Sequence, residues 1–416
     1  MAQCSLSLTT RCYILVPSNE LIDYFDKVPE YAFLRKVITV SQPIDQLENE
    51  DNIDWKKLIY LSDSHGLSSL LYQYLINNRI TAPGKYFNEL KHRYEANALR
   101  NKLLTHELVK IMDFLKQNSI RVLAYKGPTL TIALYGDLKL RHFGDLDILI
   151  HQKDALNASA LISDLNYVRT IPPMSPAKES RFLKIDHEHE FVSDDDLISI
   201  DLHWALSTHR FPFQMNTEAL FTNYRTIQYG QASIDYIADE YLLVFLCMHC
   251  NKDLWRKLIW IADIDRLIRS HNELDWDLSF RIARESHCER MLIVTLYVLH
   301  TLLDTPLPTD IISRIHQDKH VQTLGLDAVK KSRRIQPYSF LKCLTIDSYI
   351  LSVCDSAYDK VQYIFRSLVT PSESDLLAIN LPRWLHFIYY IFKPTKLITL
   401  CLARSLKRLI FNSSQN

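Results

Sequence analysis

Glycine is scarce in this chain, at 7 of 416 residues, and strand-like runs are few. Long helix-compatible stretches fill most of the remainder, so a mainly helical protein around a small sheet is expected. An excess of either charge is also missing. Lys plus Arg and Asp plus Glu each number 48, and a strongly basic footprint for nucleic acid is absent at the level of the whole chain. The eight cysteines are scattered without the spacing of a disulfide framework, and the first ten residues lack the basic start and apolar core of a signal peptide. Free thiols and a cytoplasmic setting are the expectation. No uninterrupted apolar run reaches the roughly 18 residues of a membrane span. Hydrophobic content of 47% and charged content of 23% belong to a globular chain rather than a disordered one.

The most informative stretch is residues 120 to 150. Arg121 to Tyr125 is a short apolar run that stops at Lys126-Gly127-Pro128. Pro128 suits the first turn of a helix, where its missing N–H costs nothing. The helix continues through Thr129 to Tyr135, and Gly136 can end it. Leu146, Ile148, Leu149 and Ile150 then read as a buried strand. Asp145 and Asp147 stand two apart in it, so both carboxylates face the same way. Like charges held side by side call for a cation between them, and Mg²⁺ prefers carboxylate oxygen. The turn at Gly127 complements this, because glycine lets a backbone approach a phosphate and a helix N-terminus favours an anion. A third acid lies in another alternating run, Ile198-Ser-Ile-Asp201-Leu-His-Trp204.

Lys126-Gly127, Arg141-x-x-Gly144-Asp145-Leu-Asp147-Ile-Leu-Ile and Asp201-Leu-His203-Trp204 together resemble the uncharacterised nucleotidyltransferase family of the DNA polymerase β superfamily. Segments around His249 to Asp263 and Pro371 to Pro394 look similar too, so the likeness is expected to run over roughly residues 50 to 400. The resemblance implies an α+β fold with a small mixed sheet and three catalytic, metal-binding acids, matched here by Asp145, Asp147 and Asp201. It further implies transfer of a nucleoside monophosphate from an NTP, with pyrophosphate leaving. Two Mg²⁺ ions are the implied cofactors, with Mn²⁺ as substitute. Where the wider superfamily commonly has Ser or a second Gly after the motif glycine, this chain has Pro128, which leaves Thr129 or Lys126 to meet the phosphates. Lys126, Gly127, Thr129, Arg141, Gly144, His203, Lys252 and Lys257 are the expected nucleotide-binding residues. Arg141 has two readings, as a brace for the aspartate strand or as a phosphate ligand.

The rest of the chain falls into an unassigned segment (1–50), a helical region (51–119), the catalytic core (120–205), a second helical region (206–370) and a C-terminal segment (371–416). Ser18 to Tyr24 and Tyr31 to Val37 read as short helices. Gly66 should divide Trp55 to Ile76 in two. Phe87 to Lys116 reads as one or two long helices with Leu104, Leu108, Ile111 and Leu115 buried. His187-Glu-His189-Glu-Phe-Val192 alternates like a strand, Asp194 to Asp196 is its turn, and Leu197 to Trp204 returns. If their faces coincide, His187, His189, Asp201 and His203 converge near the metals, as phosphate contacts, an acid–base pair or a zinc site. From Thr217 on the pattern reads as nearly all helical. Cys247-Met-His-Cys250, with no second pair, reads as core. Leu341 to Leu368 reads as one long helix. From 376 to 416 there are six basic residues and no acid among many apolar ones, the make-up of helices docked on the protein or lying at a membrane surface over 376–411.

The expected chemistry is metal-assisted in-line attack of a hydroxyl on the α-phosphorus, with Asp201 also able to take the proton. A sugar phosphate, an antibiotic-like hydroxyl, a protein side chain and a tRNA end are the acceptor classes, the neutral charge speaking mildly against tRNA. A non-catalytic nucleotide-binding or scaffold protein that kept the fold is the alternative.

Overall fold

The computed structural model describes residues 19–39, 52–271, 273–333 and 346–378, with parts of 381–395. Seven strands form one mixed sheet: β1 (Val122–Ala124), β2 (Asp145–Ile150), β3 (Tyr167–Arg169), β4 (Glu188–Ser193), β5 (Ser199–His203), β6 (Tyr224–Tyr229) and β7 (Ala232–Ile237). Their order across the sheet is β3-β4-β5-β2-β1-β7-β6. The pairs β2–β5 and β1–β7 are parallel and the others antiparallel.

Strand alternation divides the sheet's two faces between two cores. Val122, Ala124, Leu146, Ile148, Ile150, Ile200 and Leu202 pack with Leu104, Leu108, Ile111 and Leu115 of the helix Gly84–Gln117 and with Ala155, Ala158 and Ile162 of the helix Ala155–Asp164. Leu123, Tyr125 and Leu149, on the other face, join the larger core of the surrounding helices. On that second face Asp145, Asp147, Asp201 and His203 stand in register. The expected predominantly helical protein around a small mixed sheet is therefore what forms.

Several expectations need correction. The sheet does not end near residue 205. Tyr224–Tyr229 and Ala232–Ile237 form a hairpin where helix was expected, with Gly230 at φ +61° in its turn. Alternating Tyr, Thr and Ile residues favour a strand on a half-buried surface. The helix expected over Leu341 to Leu368 is also interrupted. Residues 334–345 lie outside the described part; beyond them run the helices Ser348–Ser352 and Ala357–Val369. The break falls at Ser356, whose hydroxyl and the Asp359 carboxylate cap the second helix reciprocally. Gly84–Gln117 is one continuous helix, and Gly66 at φ +73° does separate two. Cys247 and Cys250 are fully buried in the core, where burial pushes both thiols up.

The loop between the helix Gly127–Tyr135 and β2 is tied down from two sides. Asn97 donates to the Lys139 carbonyl, and Asn101 donates to those of Leu138 and Arg141. From the other side Asp263, fully buried on the helix Leu258–Ser270, accepts two hydrogen bonds from the Arg141 guanidinium at 2.8 and 2.9 Å and one from the Tyr135 hydroxyl at 2.7 Å. A buried charge pair is stable when every lone pair is used, and breaking one partner strands the other. Asp263→Ala should therefore cost about 3–5 kcal/mol in urea unfolding, and Asp263→Leu combined with Arg141→Leu clearly less. Equal losses in the two proteins would contradict this view of the pair.

Candidate functional site

The site begins where β1 runs out. The chain passes through Tyr125 and Lys126 into the helix Gly127–Tyr135, with Pro128 in its first turn. Gly127 sits at φ +53°, and a Cβ there would lie 3.2 Å from the Asp145 carbonyl oxygen. Glycine is needed both for the conformation and for the close approach. The Lys-Gly turn is thus packed directly on the first residue of the aspartate strand. The Thr129 hydroxyl turns back to donate to the Lys126 carbonyl at 2.8 Å and is buried. Gly144 precedes β2, and its carbonyl accepts from Arg100 at 3.0 Å; the same guanidinium holds the carbonyl of Leu197 at 2.9 Å, just before β5. One arginine therefore clamps the starts of both acid-bearing strands.

Parallel pairing of β2 with β5 sets Asp147 beside Asp201 and Leu149 beside His203. One ligand atom from each of Asp147, Asp201 and His203 lies within 4.8 Å of the others. Asp145, one strand step away, is outside that group. Lys126 Nζ is 3.5 Å from Asp147 Oδ1, and His203 Nε2 is 3.3 Å from the same oxygen. Asp147 is only 4% exposed, and its Oδ2 has no hydrogen-bond partner among the described residues.

The electrostatics follow from this crowding. Burial alone would raise Asp147, but Lys126 and His203 outweigh it and hold the carboxyl well below the usual range. Asp201 lacks such help. Burial, then the charges of Asp147, Glu188, Asp145 and Glu190, push it up to about 9. Asp145 is raised too, first by Asp147 and then by burial. Burial disfavours the charge on Lys126, yet Asp147 and Asp145 more than compensate and its pKa is raised.

The remaining expected residues surround this centre. Lys252 ends the helix Asp239–Lys252, and Lys257 caps the helix Leu258–Ser270. Desolvation lowers the pKa of Lys257, and the charge of Asp145 only partly opposes that shift. Between the two lysines, Leu254 and Trp255 hold φ values of +57° and +59°. That backbone is uncommon for bulky residues and is secured by the buried Trp255 indole, which donates to the Tyr349 hydroxyl at 2.7 Å. Arg141 is buried with its guanidinium engaged by Asp263.

His189 does not share the site. It is fully buried between Phe182 and Trp204, with Nδ1 2.7 Å from the Ser159 hydroxyl, and burial followed by Arg169 lowers it to about 3. The cause is one residue of hairpin register. A three-residue turn at 194–196 would have set His189 opposite Asp201. Instead Ser193 N–H meets the Ile198 carbonyl and Val192 pairs with Ser199, leaving four residues in the loop. A one-residue shift exchanges the faces of a strand. Glu190 consequently pairs with Asp201 and Glu188 with His203. These two acids are the site residues that sequence reasoning missed; only the loop length could have revealed them.

The chain belongs to the uncharacterised nucleotidyltransferase family, whose model matches residues 51–304. That span stops short of the likeness expected up to residue 400. Among solved structures, an antigenic nucleotidyltransferase-like protein from Paracoccidioides brasiliensis is similar at 14% identity and a TM-score of 0.31, over 53% of this chain and 97% of its own. None of the curated proteins matches.

The raised Asp201 has a consequence for stability. The folded state keeps a proton that the unfolded state releases above about pH 4. Each rise in pH from there towards about 9 thus costs the metal-free protein stability through this group. Asp147, depressed on folding, acts oppositely and only in more acidic solution. In chelator-treated protein, urea unfolding from about pH 5 to about pH 8 should show wild type losing ground to Asp201→Asn. A stability gap independent of pH would refute the assignment.

Proposed function

We propose that this protein is a Mg²⁺-dependent nucleotidyltransferase that moves an NMP from an NTP to a hydroxyl acceptor and releases pyrophosphate. The observation that carries this reading is the pairing of Asp147 with Asp201 on neighbouring strands, next to a glycine turn at a helix N-terminus. The donor set fits a divalent cation. An unpartnered buried oxygen of Asp147, a carboxyl of Asp201 displaced by its neighbours and Asp145 one step along together offer oxygen ligands to two Mg²⁺ ions or to Mn²⁺. Ions held there would supply charge neutralisation at the phosphates and acidity at the acceptor hydroxyl.

The chain's own residues do the rest. The Gly127 turn presents backbone to the triphosphate at the N-terminus of its helix. Lys126 exchanges Asp147 for a phosphate oxygen, and Lys252 and Lys257 approach the same anion from the edge. Thr129 fixes the turn through the Lys126 carbonyl, while Arg141 and Gly144 set the entry of β2. His203 orients Asp147, and Asp201 receives the acceptor's proton.

Pyrophosphate release from each of the four NTPs, with and without cell extract as acceptor source, tests the reading. Wild type should turn over one or more NTPs, and Asp145→Asn/Asp147→Asn should lose at least about 100-fold. NTP binding without release under every condition would favour a nucleotide-binding scaffold.

We also infer peripheral lipid contact near the C-terminus. Among the described residues, no helix is long and apolar enough to cross a membrane. Yet Trp384, Phe387, Tyr390 and Ile391 are exposed, as are Tyr358, Val361 and Phe365 on the helix Ala357–Val369. Most of the basic residues noted beyond 376 lie outside the described part. Aromatic side chains beside basic ones suit an anionic interface. Full-length protein should co-sediment with anionic liposomes, and Trp384→Glu/Phe387→Glu should reduce that several-fold. Equal sedimentation of both proteins would end the idea.

A further inference from the structure

His203 faces two ways. Its Nε2 lies 3.3 Å from Asp147 Oδ1, and its Nδ1 lies 3.0 Å from Glu188 Oε2. The side chain is 6% exposed, and neither nitrogen has a hydrogen-bond partner in proper alignment. Close approach without alignment is not what an ordinary buried histidine shows.

His187 supplies the complement. Its Nδ1 is 2.9 Å from Asp186 Oδ1, and the same oxygen accepts from the His187 backbone N–H at 2.9 Å. With the proton on Nδ1, the lone pair of Nε2 is left facing Glu188 Oε2 at 3.6 Å. With its proton on the Nε2 that faces Asp147, His203 would likewise turn its Nδ1 lone pair towards Glu188. Three acceptors then converge, two from imidazole and one from carboxylate, in a group of residues each of which offers a ligand atom within 4.8 Å of the others. Converging acceptors with no donor between them repel unless a cation joins them.

We propose that His187 Nε2, Glu188 Oε2 and His203 Nδ1 form a second metal site, selective for a zinc-class divalent ion over magnesium, beside the aspartate centre. Ligands about 2.0 Å from a tetrahedral ion stand about 3.3 Å apart. The separations of 3.0 and 3.6 Å from Glu188 Oε2 straddle that value. Imidazole nitrogen suits Zn²⁺ and its neighbours, whereas Mg²⁺ is an oxygen-seeking ion. Behind each histidine stands a carboxylate on the far nitrogen, Asp186 for His187 and Asp147 for His203, the outer support that metal-bound histidines commonly have. Three protein ligands leave a fourth position open. Because His203 touches both centres, an ion held here fixes the imidazole that orients Asp147.

The test is direct binding to the full-length chain after chelator treatment. Asp145→Asn/Asp201→Asn is the background; it disables the aspartate centre but keeps Asp147 behind His203, so that failure of the transferase reading and failure of this one are separable. Co²⁺ serves as the probe because its visible absorption reports nitrogen ligands. One Co²⁺ should bind per chain, be displaced by stoichiometric Zn²⁺ and resist a large excess of Mg²⁺. His187→Gln and Glu188→Gln should each abolish the absorption. Asp186→Asn keeps all three ligands and should weaken binding about 10- to 100-fold; it also decides the matter if a ligand variant melts abnormally. Absence of Co²⁺ binding, binding indifferent to these substitutions, or displacement by Mg²⁺ as readily as by Zn²⁺ would overturn the proposal.

Discussion

Asp147 and Asp201 lie side by side on parallel strands, on a face that the helices largely cover. Two carboxylates so placed cannot both be ionised cheaply. The surrounding structure distributes that conflict. Lys126 and His203 crowd one carboxylate and keep it charged, while the other retains its proton to about pH 9. A site arranged in this way holds a proton when empty, where a divalent ion would take its place.

The supporting structure keeps the two strands from moving apart. Arg100 holds the carbonyls that precede each of them, and the Gly127 turn rests on the backbone of Asp145. Asn97, Asn101 and the Arg141–Asp263 pair anchor the loop that leads into β2. Apart from the Gly127 turn, none of these groups need touch a substrate. They fix the two strands relative to one another, and with them the acids.

Much of this was legible in the sequence where local rules decide. Asp145 and Asp147 two apart in an apolar run already implied a shared face, and Lys126-Gly127-Pro128 already implied a turn into a helix. The errors arose where a count or a distant partner decides. A loop of four residues rather than three sent His189 into the core and brought Glu188 and Glu190 to the site. The Tyr224–Ile237 hairpin is stabilised by parallel pairing of β7 with β1, a contact more than a hundred residues away in sequence. Arg141 found its partner in Asp263 across a similar distance. The break at Ser356 is of another kind, since the spacing of Ser356 and Asp359 was a readable capping signal within a run that looked continuously helical.

A divalent cation would take the place of the proton that Asp201 holds beside Asp147. Calorimetric titration of Mg²⁺ near pH 8, in buffers of different ionisation enthalpy, tests this most directly. Binding should release protons, because Asp201 must give up the one it holds, and Asp201→Asn should abolish that release. Mg²⁺ binding with no proton released, or release unchanged in Asp201→Asn, would contradict the account.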